Sequence, residues 1–77
     1  MTKIELKQIL NRNNIPEWYY NLDEKGETDQ RVCLRKENNI WKVYFTERGE
    51  VLDEMHYNSE SEACDDVLRR FKRFNIK

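Results

Sequence analysis

The chain has 77 residues, of which 38% are hydrophobic and 38% charged, and its formal net charge is −1. This length suits one domain with a small core, and the 12% of aromatic residues, with apolar residues at regular spacing, argues against a disordered chain. No apolar run approaches membrane-spanning length and no export signal is recognisable, so we expect a cytoplasmic protein with no membrane partner.

The first predicted element is a helix over residues 2–12. Thr2 and Glu5 have the spacing of a capping box, in which a hydroxyl and a carboxylate satisfy free N–H groups of the first turn. Leu6, Ile9 and Leu10 share one face. Because Pro16 disfavours a helical conformation for the residue before it, we expect the helix to end near Asn13 and Asn14.

A small meander of strands is predicted next. Residues 18–22 alternate and indicate a short strand or extended segment with Trp18, Tyr20 and Leu22 on one side, followed by a polar loop over 23–30. Residues 31–35 indicate a second strand. Residues 40–46 give the clearest strand, with Trp41 expected in the core, and residues 51–57 give a further strand whose alternation is poor.

Two turns separate these strands. Residues 36–39 and 47–50 contain Asn38, Asn39 and Gly49, which tolerate positive φ better than other residues. Both segments are therefore predicted to be hairpin turns.

The last predicted element is an amphipathic helix over residues 59–74. Ser59 and Glu62 have capping-box spacing, and the core-facing stripe consists of Cys64, Val67, Leu68, Phe71 and Phe74. Acidic residues near its start and basic residues near its end complement the helix dipole, and the i,i+4 pairs are Asp65 with Arg69 and Asp66 with Arg70. Apart from such pairing, we expect Asp65 and Asp66 to lie on a solvated face.

Together these elements predict an α+β fold. Residues 1–77 form a single α-β-β-β-α domain, in which an N-terminal helix precedes a small antiparallel meander of three to four strands. The C-terminal amphipathic helix packs on one face of that sheet.

The sequence contains no recognisable catalytic, cofactor or metal site. His56 has no His or Cys at helical spacing, and we expect it on the surface or an edge strand. Cys33 and Cys64 lie far apart and are expected to be reduced and buried. Gly26 and Gly49 are the only glycines, so no phosphate-binding loop is present. We therefore predict that the protein is not an enzyme and acts by binding.

Charge is unevenly distributed along the chain. Residues 47–66 contain eight acidic residues against one basic residue, whereas residues 69–77 contain five basic residues and no acidic one. Glu47, Glu50, Asp53 and Glu54 fall on a turn and the strand after it, where they either protect an edge strand or present a negative patch to a basic ligand. The sequence leaves both interpretations open.

A nucleic-acid-binding module is the main alternative. Its contacts would come from the basic end of the last helix, namely Arg69, Arg70, Lys72 and Arg73. The αβββα order also occurs in double-stranded-RNA-binding domains, but those present a basic start of the last helix to phosphates, and here that segment is acidic. Because phosphate neutralisation dominates such affinity, the net charge of −1 disfavours this function.

Five fragments resemble a pattern of small bacterial immunity proteins, and the chain is similar to immunity protein 59 of the polymorphic toxin systems. The fragments are NIPEWY (14–19), RVCL (31–34), WKVYF (41–45), ERGE (47–50) and SESEAC (59–64). The resemblance implies an antidote that stays in the cytosol of the producing cell and neutralises a cognate toxin, often a nuclease. An acidic surface suits the basic cleft of such an enzyme.

We therefore predict a toxin-binding inhibitor that is a monomer or weak dimer. Its partner-binding residues are predicted to be the acidic residues Glu47, Glu50, Asp53 and Glu54 and the aromatic anchors Trp18, Tyr19 and Tyr44, since Trp and Tyr are frequent hot-spot residues. A phage or mobile-element adaptor protein is a further alternative.

Overall fold

The computed structural model describes residues 1–23 and 29–74, except for the side chain of Arg73. Two α-helices flank a four-stranded sheet. In chain order the elements are α1 (Lys3–Arg12), a 3-10 turn (Glu17–Tyr19), β1 (Tyr20–Asn21), β2 (Val32–Glu37), β3 (Ile40–Glu47), β4 (Glu50–Tyr57), α2 (Glu60–Arg70) and a second 3-10 turn (Lys72–Phe74). The expected α+β class is confirmed. The central part of the polar loop predicted over 23–30 lies outside the described residues.

The strand order is β1-β2-β3-β4, and the sheet is mixed rather than purely antiparallel. β2, β3 and β4 form the predicted antiparallel meander, but β1 runs parallel to β2, with Tyr20 beside Val32. Parallel neighbours cannot be joined by a tight turn. Residues 22–31 separate the two strands.

Side-chain caps fix the start of both helices. The Thr2 hydroxyl accepts from the Glu5 N–H at 3.3 Å, and the Glu5 carboxylate accepts from the Thr2 N–H at 3.0 Å, so the predicted capping box is confirmed. At α2 the Ser59 hydroxyl accepts from the Glu62 N–H at 3.2 Å. The Glu62 carboxylate accepts from the Ser59 hydroxyl, not from the backbone N–H that a complete box would use.

Both predicted hairpin turns are present. Asn38 and Asn39 have φ values of 52° and 66°, and Arg48 and Gly49 have values of 52° and 81°. Two consecutive residues with positive φ define the type I′ turn, whose twist matches that of the strands it joins. This places β3 and β4 in tight antiparallel register, with Glu47 opposite Glu50.

The core lies between the sheet and the two helices. α2 packs across β2, β3 and β4, and α1 packs against α2. The buried residues of this cluster include Leu6, Leu10, Leu34, Val43, Val67 and Phe71, with Trp41 partly buried against them. Neither α-helix of the described ranges is long and apolar enough to cross a membrane.

Trp18 departs from its predicted position. Residues 17–19 form a 3-10 turn, so the expected alternation begins only at Tyr20. Tyr20 and Leu22 are buried, whereas Trp18 is 65% exposed. Pro16, with φ of −62°, starts this turn and thereby rotates Trp18 away from the core.

Candidate functional site

β4 is the outer strand of the described sheet on the side opposite β1. Seven of its eight residues are exposed, and Tyr57 at its end is half-buried. Three of the exposed side chains are apolar: Val51, Leu52 and Met55, with exposed fractions of 53%, 37% and 50%. An outer strand presents unpaired N–H and C=O groups along one side. β4 therefore combines an available backbone edge with apolar side chains on the surface.

A β-bulge interrupts the middle of β4. Leu52 pairs with Phe45 and Met55 pairs with Val43, so Asp53 and Glu54 together lie opposite the single residue Tyr44. Asp53 has a φ of 52°, a conformation that Asp tolerates better than most residues. The extra residue shifts the alternation by one position, which explains the poor pattern of residues 51–57 in the sequence.

The four predicted acidic residues all lie along this edge, but on both faces of the sheet. Glu47 and Glu50 form a cross-strand pair beside the β3–β4 turn. Glu54 lies on the face away from the helices, because its carboxylate is 2.9 Å from Nε2 of His56, which pairs with Lys42. The acidic residues thus occupy the part of the edge from Glu47 to Glu54. His56 is exposed on β4, as expected.

A partly buried polar cluster connects the bulge to α2. The Asp66 carboxylate accepts from Arg70 Nε at 2.9 Å and from the Tyr57 hydroxyl at 2.7 Å. Arg70 Nη2 donates to the Asp53 carbonyl at 2.6 Å. We call Asp66, Arg70 and Tyr57, with the Asp53 carbonyl, the bulge clamp. Its hydrogen bond to Asp66 raises the pKa of the Tyr57 hydroxyl above its usual value.

The bulge clamp corrects one expectation and confirms another. Asp66 was expected on a solvated face, but only 6% of it is exposed, because it lies beneath Tyr57 and Arg70. The predicted i,i+4 ion pair between Asp66 and Arg70 is present. The i,i+4 spacing predicted the pair of Asp66 and Arg70. It could not predict the hydrogen bond from Arg70 to the Asp53 carbonyl, because these two residues are far apart in the sequence.

The predicted aromatic anchors do not lie together. Trp18 and Tyr19 adjoin β1, at the opposite edge of the sheet from β4, and Tyr19 stacks on Phe74 with ring centroids 5.6 Å apart. Trp18 and Tyr19, with Phe74, form what we call the aromatic corner. Tyr44 lies on β3 opposite the bulge and is half-buried. Of the three anchors, only Tyr44 is near the acidic edge.

No family model, curated protein or solved structure matches this chain. The resemblance of these fragments to immunity proteins therefore remains a prediction from the sequence.

The basic end of α2 is only partly available for binding. Arg70 is held in the bulge clamp, with 17% of its side chain exposed. Arg69 is exposed and donates to the Tyr57 hydroxyl at 3.5 Å, and Lys72 is exposed. The side chain of Arg73 lies outside the described residues. Of the four basic residues predicted for nucleic-acid binding, Arg70 therefore serves the fold.

The two thiols are free and fully buried, as expected. Burial raises the pKa of Cys64 to about 11 and also raises the pKa of Cys33. Both thiols are therefore protonated at neutral pH and poorly nucleophilic. Across residues 1–23 and 29–74, no three His, Cys, Asp or Glu side chains come close enough together to hold a metal ion.

Proposed function

We propose that this chain is a non-catalytic, protein-binding inhibitor that neutralises a cognate bacterial toxin through the β4 edge. The observation that carries the proposal is the composition of β4. It is an exposed outer strand with three apolar side chains among acidic ones, a surface that suits a cationic protein.

The two kinds of side chain on this edge would contribute differently. Burial of Val51, Leu52 and Met55 would supply affinity, because it removes apolar surface from water. Glu50, Asp53 and Glu54 would mainly accelerate encounter with a basic partner. A rapid association followed by slow dissociation is what an antidote to a toxin requires.

The direct test uses the protein encoded immediately upstream, if it is a large secreted protein with a toxin-like C-terminal domain. Purified chain and toxin domain are mixed, and complex formation and residual toxin activity are measured. We expect a stoichiometric complex and loss of activity. Absence of a complex at micromolar concentrations, with a toxin that remains active, would contradict the proposal.

Association kinetics then test the acidic edge. The double variant Asp53→Asn/Glu54→Gln removes two charges and keeps a residue that tolerates positive φ at position 53. The matched control is Glu62→Gln/Asp65→Asn on exposed positions of α2. We expect slower association and a weaker salt dependence only for the first variant. Equal rates for the two variants would remove Asp53 and Glu54 from the site.

A second candidate function is nucleic-acid binding by the aromatic corner. Trp18 is 65% exposed, and the exposed Lys72 lies in the 3-10 turn that carries Phe74. Bases stack on exposed aromatic rings, and lysine neutralises phosphates. A gel shift at low salt with single- and double-stranded DNA and RNA tests this function. Binding that Trp18→Ala/Lys72→Gln abolishes would support it, and no shift would exclude it.

A further inference from the structure

We infer that the partner binds β4 by strand addition, as an extended segment with apolar side chains on one face and basic side chains on the other. This inference rests on the proposed function and specifies how the toxin is held. The backbone edge of β4 would supply hydrogen bonds, and its side chains would select the sequence of the added strand.

The backbone of β4 already has the extended conformation that such pairing requires. The type I′ turn at Arg48 and Gly49 keeps β4 in register with β3, and the bulge clamp ties its middle to α2. The bulge divides β4 into two short extended segments, residues 50–52 and 55–57, each already paired with β3. Strand addition would therefore need little rearrangement of β4.

The side chains of β4 indicate the chemistry of the added strand. Leu52 and Met55 pair with Phe45 and Val43 and so lie on the face that carries the helices. Side chains of the added strand next to Leu52 and Met55 would be apolar. On the other face Val51 and Glu54 are exposed, and Glu54 lies beside His56, so a Lys or Arg of the added strand next to Glu54 would meet a carboxylate. An added strand that alternates apolar and basic residues would place apolar side chains beside Leu52 and Met55 and a basic side chain beside Glu54.

A second copy of this chain fits the edge less well. Antiparallel pairing of two β4 strands centred on the bulge would bring Asp53 and Glu54 of both copies together, and like charges on adjacent strands are destabilising. Charge complementarity therefore favours a basic segment from a different protein.

The experiment is an amide NMR titration of the full chain with a capped peptide of about eight residues that alternates lysine and valine. We expect shifts in the amides of β4 and of the β3–β4 turn, and slower hydrogen exchange along β4. One control peptide has the same sequence with every backbone nitrogen methylated, which abolishes its N–H donors. The other control alternates glutamate and valine. Neither control should shift β4.

The protein variants test the charge requirement. Asp53→Asn/Glu54→Gln should weaken binding of the lysine–valine peptide about two- to fivefold for each charge removed. Glu62→Gln/Asp65→Asn should leave the affinity unchanged. Equal binding of the methylated peptide, or shifts confined to the aromatic corner, would overturn strand addition.

Two further outcomes separate this inference from the proposed function. If the toxin domain forms an inhibitory complex in which β4 amides exchange as fast as in the free chain, the function stands and strand addition is wrong. If the peptide slows hydrogen exchange of the β4 amides but no toxin domain binds, β4 is a strand-binding surface and the proposed function is wrong. Sedimentation that shows a dimer with protected β4 amides would assign the edge to a second copy and overturn the choice of partner.

Discussion

Asp66 connects three parts of the molecule through one carboxylate. It accepts from Arg70 one turn later in α2 and from the hydroxyl of Tyr57 at the end of β4. Arg70 in turn donates to the Asp53 carbonyl at the bulge. Because this carboxylate is buried, each of its hydrogen bonds replaces contact with water, and removing the charge would leave the guanidinium without its counter-ion.

We expect Asp66→Asn to lower the free energy of unfolding by roughly 2–3 kcal/mol. This decrease in unfolding free energy is smaller than that expected for a fully buried ion pair, because 17% of the Arg70 side chain is exposed. Urea unfolding followed by circular dichroism measures it. The control is Asp65→Asn on the neighbouring exposed position, which should change stability by less than about 0.5 kcal/mol. Equal stability of the two variants would show that the clamp contributes little.

Cys64 gives a prediction for alkaline pH. Burial raises the pKa of its thiol from 9.0 to about 11, so the folded state favours the protonated form. Its contribution to stability is complete below pH 9.0 and is lost as the pH rises through about 11, because only the unfolded chain ionises readily in that range. Cys64→Ala removes this titration.

The measurement compares the unfolding free energy of the wild type with that of Cys64→Ala across this pH range. Tyr20, Tyr44 and Cys33 also have raised pKa values, and their titration is common to both proteins. We expect the wild type to lose more stability than the variant between pH 9.0 and about 11. Parallel curves would contradict this account of the thiol.

At the scale of elements, the β3–β4 turn allows a paired prediction. Arg48 has a φ of 52°, which is costly for a residue of its kind, whereas Asn tolerates it. Arg48→Asn should therefore stabilise the protein by about 0.5–1 kcal/mol. Gly49→Ala should destabilise it by about 1 kcal/mol at a φ of 81°, although nothing lies within 4 Å of the added Cβ. Thermal unfolding of both variants measures the two effects, and changes of the same sign would contradict the turn assignment.

Local sequence signals correctly predicted most of the helices, strands and turns. The caps at Thr2 and Ser59 and the turn residues Asn38, Asn39 and Gly49 act within a few neighbours, so their effect is visible without the fold. The parallel pairing of β1 was not foreseen, because it depends on where a distant segment returns. Trp18 was placed on the wrong side for a local reason, since the turn that follows Pro16 ends only at Tyr19.

The candidate site was harder to foresee than the fold. Alternation along residues 51–57 fails at Asp53 because the bulge inserts an extra residue there, and an Asp at positive φ marks such a position far less clearly than a Gly does. The acidic residues were rightly placed on a turn and strand. Their division between two faces follows from the bulge, and the distance of Trp18 and Tyr19 from them follows from the strand order.

At the scale of the whole molecule, small size limits stability. A single core in a chain of this length rarely supplies more than about 3–5 kcal/mol. The outer strand β4 adds little to that core, since seven of its eight residues are exposed. A partner that covers β4 and binds only the folded chain would therefore stabilise the protein. It would also bury a strand that contributes little to the core of the free chain.

We predict that the toxin domain, at a free concentration about 100 times its dissociation constant, adds about 2.7 kcal/mol to the unfolding free energy of this chain. For a domain of this size, such a gain raises the melting temperature by roughly 10 °C or more. Differential scanning fluorimetry with the inhibitor labelled separates its transition from that of the toxin. Asp53→Asn/Glu54→Gln should melt like the wild type when free, because both side chains are exposed, but should gain less from the same toxin concentration. Glu62→Gln/Asp65→Asn should gain as much as the wild type, and an equal gain in all three proteins would place the partner on another surface.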